Sequence, residues 1–133
     1  MTRIVIDASA VIAVVVNEPH RDALIAATRG VSLISPASLP WEIGNAFSAM
    51  FKQGRISLED AQAALAEAER VPIQLVEPSL AESLRMAHEL AIYAYDAYMI
   101  ISAQQYRCPL LTLDRGLRTA ALEADVQVME VSR

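Results

Sequence analysis

The spacing of hydrophobic residues changes period repeatedly along this chain, and each change marks an element. Arg3 to Asp7, RIVID, is a β-branched run closed by an acid, as expected for a strand buried on both faces with Asp7 at its carboxyl edge. Ser9 opens a helical segment, and a second helix starts at Pro19, with Leu24, Ile25 and Thr28 on its apolar side and Gly30 as its stop. Val31 to Ile34 reads as the second strand. Pro36 to Pro40 leads into a longer helix, Trp41 to Gln53, in which Ile43, Phe47, Met50 and Phe51 recur at helical spacing before Gly54. Its other side carries Glu42, Asn45, Ala49 and Lys52, so Glu42 and Asn45 lie one above the other. Ser57 with Asp60, and Ser79 with Glu82, resemble capping pairs and mark two more helix starts. Between those helices, Val71 to Glu77 forms a third strand, bounded by Pro72 and Pro78. A further helix begins at Tyr95-Asp96, Cys108 to Thr112 is a short fourth strand, Arg115 to Glu123 a short helix, and Val126 to Val131 a last alternating strand.

Strands alternating with helices predict an α/β sandwich around a mostly parallel sheet. A length of 133 residues with 54% hydrophobic residues suits one domain with a real core, burying roughly two-thirds of its unfolded surface. The apolar run Ala8 to Val16 is too short to cross a bilayer, and Asp7 interrupts the resemblance of the N-terminus to a signal peptide, so the expectation is a cytoplasmic protein with no membrane contact. One cysteine, Cys108, makes no internal disulfide and reads as a small core hydrophobe.

Net charge of −5 and a pI of about 4.9 argue against a protein that grips nucleic acid by a broad positive surface. They leave room for a nuclease, because a bound cation inverts the charge of an acidic pocket. Four acids stand out: Asp7 after the first strand, Glu42 on the middle helix, Asp96 at a helix start and Asp114 after the fourth strand. In open α/β sheets ligands bind outside the carboxyl ends of the strands. Asp7 and Asp114 would meet there if strands one and four are neighbours. Ionised carboxylates about 5 Å apart repel by about 3 kcal/mol per pair at an effective dielectric of 20, a conflict that a divalent cation resolves. An all-oxygen ligand set favours magnesium or manganese over zinc. Taken singly, Asp96 and Asp114 also suit helix caps and Glu42 a solvated helix face, whereas Asp7 would be costly to bury unpaired.

Four segments together carry a family resemblance: Ile6-Asp7-Ala8-Ser9, Glu42-Ile43-Gly44-Asn45-Ala46, Tyr95-Asp96-Ala97, and Leu111-Thr112-Leu113-Asp114-Arg115-Gly116-Leu117. In this order, over essentially the whole chain, they resemble PIN-domain proteins, and among these the VapC-type ribonuclease toxins of toxin-antitoxin pairs. The resemblance implies a three-layer α/β/α sandwich with a five-stranded, mostly parallel sheet. It implies that Asp7, Asp96 and Asp114 ligate Mg2+ or Mn2+, with Glu42 acting through water. It further implies that Ser9 and Thr112 support the carboxylates by hydrogen bonds, a role that Asn45 is expected to share from the Glu42 face of its helix. The activity implied is metal-dependent hydrolysis of RNA phosphodiester bonds. The partners implied are a cognate antitoxin, a second copy in a homodimer, and a hetero-oligomer of toxin with antitoxin. Some relatives carry a further acid after the last aspartate, where this chain has Arg115, Gly116 and Leu117, which leaves one metal ion or two open.

Two other readings stand beside this one. A non-catalytic PIN-like module acting only by complex formation would not need all four acids. A phosphatase with an aspartyl nucleophile at Asp7 would want a second aspartate where Ser9 stands. His20 and His88 read as surface helix residues. Trp41, Tyr93, Tyr95 and Tyr98 read first as packing residues, with contact to RNA as their second reading. Lys52 and Arg55 read as a solvated turn, while Arg115 and Arg118 are placed to meet phosphate or an inhibitory partner. An amphipathic antitoxin helix would dock on whatever part of Ile43, Phe47, Met50 and Phe51 stays outside the core.

Overall fold

The computed structural model describes residues 2–131. Its centre is a parallel sheet of β1 (Arg3–Ile6), β2 (Ser32–Pro36), β3 (Ile73–Val76) and β4 (Leu110–Leu111), in the order β3-β2-β1-β4. Val5 sits opposite both Ile34 and Leu110, which fixes the register at the centre. The chain winds outward from β1 to β3 and then returns to the far side of β1, so the order reverses between β1 and β4. Right-handed crossovers then put the first connections on one face and the last on the other. Accordingly α1 (Ala8–Val15), α2 (Arg21–Ala27), α3 (Leu39–Lys52) and α4 (Leu58–Arg70) join one core with Ile4 and Ile6. On the opposite face α6 (Ala94–Tyr106) and α7 (Arg115–Glu123) pack with Val5, Ile34, Val76 and Leu110, and α5 (Leu80–Leu90) adds Met86 and Leu90.

This is the three-layer α/β/α arrangement, but with four strands where five were expected. The segment Val126 to Val131 makes only an isolated parallel bridge, Leu110 to Val128, held by Leu110 N–H to Gln127 O and Met129 N–H to Leu110 O, both 2.9 Å. The cause lies in β4. With two residues, it offers a single pairing position to an outer neighbour, and the alternating apolar residues beyond it are buried without forming a ladder.

Local chemistry explains most boundaries. Ser57 and Ser79 accept from the amides of Asp60 and Glu82, as the capping pattern requires. Gly30 and Gly54 end their segments with φ of 72° and 66°, values that glycine reaches without a Cβ clash. Pro19 lies in the turn before α2, and His20 takes the N-cap position. Helix α1 forms from a Val- and Ile-rich run of modest helix propensity because Ala10, Val11, Ile12 and Ala13 are all buried. No described helix is long and apolar enough to cross a membrane.

Candidate active site

The strand reversal puts the carboxyl ends of β1 and β4 side by side, and there the four acids gather. Asp7 is the N-cap of α1 and Asp114 the N-cap of α7, accepting from Ala10 N–H and Leu117 N–H, each at 3.0 Å. Glu42 lies in the first turn of α3 and Asp96 in the first turn of α6. Four helices thus present their N-terminal ends at one sheet edge, where each macrodipole favours negative charge. The acids line a single open cleft of about 510 Å³ with Ser9, Asn45, Tyr93 and Tyr95.

Asp7 is the most constrained of the four. It is 5% exposed. Ser9 Oγ donates to its two oxygens at 2.8 and 3.0 Å, and Thr112 Oγ1 donates to Oδ2 at 2.5 Å. Leu113 N–H donates to Ser9 Oγ and Asp114 N–H to Thr112 Oγ1, both at 3.0 Å, so these hydroxyls tie Asp7 to the backbone that carries Asp114. Asn45 is exposed on the cleft wall, on the same helix face as Glu42. Gly116 leaves room for Asp114, since a Cβ there would stand 3.3 Å from Oδ1.

Burial dominates the electrostatics. It pushes Asp7 up to about 6, against the lowering effect of Thr112, Ser9 and the Ala10 amide, and Asp114 raises it further. Burial likewise raises Glu42 to about 7, opposed by the Ser38 hydroxyl and reinforced by Asp7 and Asp96. Asp96 is raised by burial and then by Asp114. Asp114 thus makes Asp7 and Asp96 harder to ionise, and those two do the same to Glu42. The site therefore resists full ionisation of its acids unless a cation offsets their charge.

A divalent cation is the chemical complement of such a site. The donors are carboxylate and hydroxyl oxygens, the set that hard ions such as Mg2+ and Mn2+ take. Among the described residues no three acidic, His or Cys side chains are already gathered as an ion would hold them. Donor chemistry and mutual repulsion fit such an ion, and Asp114 is the carboxylate with most room to move, being exposed.

Several side chains stand elsewhere than the spacing suggested. Trp41 is 72% exposed and not in the core, because it occupies the outer face of the first turn of α3. Tyr93 and Tyr95 are exposed along the cleft, with Tyr98 half-buried behind Tyr95. Ile43, Phe47 and Met50 are buried, leaving only Phe51 of that apolar set at the surface. His88 is exposed on α5, and Cys108 is half-buried, its thiol pushed up by burial. Arg118 pairs with Glu130 at 2.6 Å, whereas Arg115 lies exposed beside Asp114. Ser38 was not singled out from the sequence. It is the N-cap of α3, makes no capping bond and donates to Glu42 Oε2 at 2.7 Å. The visible signal was a serine four residues before a glutamate at a helix start.

Comparison with known proteins adds the following. The family model for the PIN domain matches residues 4–122. Among solved structures, PAE2754 from Pyrobaculum aerophilum is 27% identical with a TM-score of 0.69, covering 90% of this chain and 79% of that one. VapC20 from Mycobacterium tuberculosis, a sarcin-ricin loop cleaving toxin, is 12% identical with a TM-score of 0.63, covering 88% and 94%. FitAcB from Neisseria gonorrhoeae is 19% identical with a TM-score of 0.60, covering 96% of each chain. No curated protein sequence matches the chain.

Proposed function

The chain belongs to the PIN-domain family, and from that premise we propose that it is a metal-dependent endoribonuclease and the toxin of a toxin-antitoxin pair. One observation carries the reading: four carboxylates from four helix N-termini line one cleft at the strand reversal, and burial together with neighbouring acids makes Asp7, Glu42 and Asp96 harder to ionise. A purely structural role for these acids would leave that repulsion without benefit. The fold shared with a sarcin-ricin loop cleaving toxin supports RNA as the substrate class.

In this reading Asp7, Asp96 and Asp114 hold Mg2+ or Mn2+. When bound, the ion supplies Lewis-acid stabilisation of charge on phosphate oxygens and makes a nearby water easier to deprotonate. The protein's own groups do the rest. Ser9 and Thr112 fix both oxygens of Asp7, so that carboxylate needs no reorganisation when the ion arrives. Glu42, raised to about 7, is suited to take a proton from the attacking water, and Ser38 holds its Oε2 in place. Asn45, on the Glu42 face of α3, is placed to orient the phosphate or that water. Arg115, exposed beside Asp114, is placed to neutralise a phosphate at the cleft mouth.

The partners proposed are RNA, a cognate antitoxin, and a second copy of the chain. For the antitoxin, the apolar set on α3 reduces to Phe51, 41% exposed, as the docking residue. The test of the reading is incubation of purified antitoxin-free protein with total tRNA and ribosomal RNA, with Mg2+ or EDTA, beside Asp96→Asn. Defined fragments that require both the ion and Asp96 are expected. Intact RNA together with no Mn2+ binding would turn the assignment to a non-catalytic module acting by complex formation.

A further inference from the structure

The chain has seven aromatic residues, yet only Phe47 lies in the buried core. Tyr93 and Tyr95, at 86% and 46% exposed, instead line the acidic cleft. Neither serves its helix. Tyr93 occupies the N-cap of α6 without any side-chain capping bond, a position where Ser, Thr, Asp or Asn would stabilise the helix. Tyr95 meets Tyr98 edge to face, with ring centroids 6.0 Å apart and planes at 69°, so the half-buried ring braces the exposed one. Two aromatic surfaces are thus held in water beside four carboxylates.

That combination poses a problem of affinity. An acidic cleft opposes the phosphate it must receive, even when a cation and Arg115 offset part of the charge, so attraction to a neutral part of the nucleotide adds to its hold. Nucleobases are neutral and present flat π-faces, and stacking on an exposed ring needs no positive charge. A base inside a duplex already has both faces covered by its neighbours, whereas an unpaired base has them free.

Resting on the ribonuclease reading, we propose that Tyr93 and Tyr95 form a stacking platform for unpaired nucleobases flanking the scissile phosphate.

The test uses the full chain in Mg2+. A labelled, mixed-sequence oligoribonucleotide with phosphorothioate linkages, which slow hydrolysis at phosphorus, is titrated as a single strand and annealed to its complement, while cleavage of total RNA is followed in parallel. Wild type is expected to bind the single strand about tenfold more tightly than the duplex. Tyr93→Ala and Tyr95→Ala should each weaken single-strand binding about tenfold and raise KM with little change in kcat, whereas Tyr93→Phe keeps the ring and stays close to wild type. If wild type cleaves RNA but binds both forms equally, or the alanine variants bind and cleave like wild type, the platform is wrong while the nuclease stands. If wild type neither cleaves nor binds, the ribonuclease reading falls and takes the platform with it.

Discussion

The Thr112 hydroxyl donates to Asp7 Oδ2 across 105 residues of chain, and Thr112 Oγ1 in turn accepts from the Asp114 amide at 3.0 Å. One side chain therefore sets the carboxylate of the first strand against the turn of the last. Thr112→Val preserves shape and removes both bonds, and activity should fall roughly 10- to 100-fold, as when other groups supporting metal ligands are lost. Thr112→Ser should recover most of it. Equal rates for the valine and serine variants would show that this hydroxyl does not align the site.

Asp114 has two roles that substitution can separate. As N-cap of α7 it accepts from Leu117 N–H, and asparagine caps equally well. Asp114→Asn should leave thermal stability within about 0.5 kcal/mol of wild type while abolishing RNA cleavage, and Asp114→Ala should also lose about 1 kcal/mol. A cleaving asparagine variant would remove Asp114 from the catalytic set.

Stability should depend on pH in the direction opposite to that of a salt-bridged acid. Native Asp7 titrates at about 6 against an ordinary 3.8, so between those values the folded chain holds a proton that the unfolded chain has released. Stability then falls as pH rises through that window, and the raised Glu42 acts in the same sense up to about 7. For Asp7 the shift corresponds to about 3 kcal/mol. In EDTA, Asp7→Asn should therefore melt higher than wild type at pH 8, by roughly 10 °C, with the gap closing toward pH 4. A variant that melts lower at pH 8 would mean that the hydrogen bonds to Asp7 outweigh its burial.

Metal should reverse this penalty. Millimolar Mn2+ is expected to raise the melting temperature of wild type at pH 8 by mass action, and the gain should shrink as pH falls toward 5 because protons compete for the same oxygens. Asp7→Asn should show little gain at any pH. Calorimetric titration with Mn2+ would check the same point directly, and equal binding by wild type and variant would exclude Asp7 as a ligand.

Legibility in the sequence followed the range of the forces involved. Strand and helix identity came from local periodicity, and the Ser57 and Ser79 caps from adjacent residues, so these were readable within a few positions. The adjacency of β1 and β4 was not, because Val5 and Leu110 are paired only by the winding of the whole chain. The last strand was overread: Val126 and Val128 alternate as strand residues do, but burial alone produces that pattern, and β4 is too short to extend a ladder to them. For the acids, motif order pointed to all four and local sequence put Asp96 and Asp114 at helix starts, yet their meeting in one cleft appeared only in three dimensions. Trp41 and Tyr93 were misplaced for a related reason: hydrophobicity predicts burial on average, and a ring exposed at a cleft defies the average.

The 105-residue reach of the Thr112 bond also imposes a timetable. During synthesis Asp7 leaves the ribosome long before its partner, and β1 must wait for β4 before the two carboxyl edges stand together. Through that interval the growing chain carries its acids scattered. On the proposed ribonuclease reading, competence then arrives late, when β4 joins the sheet, which is also the earliest moment at which the proposed antitoxin has anything to block.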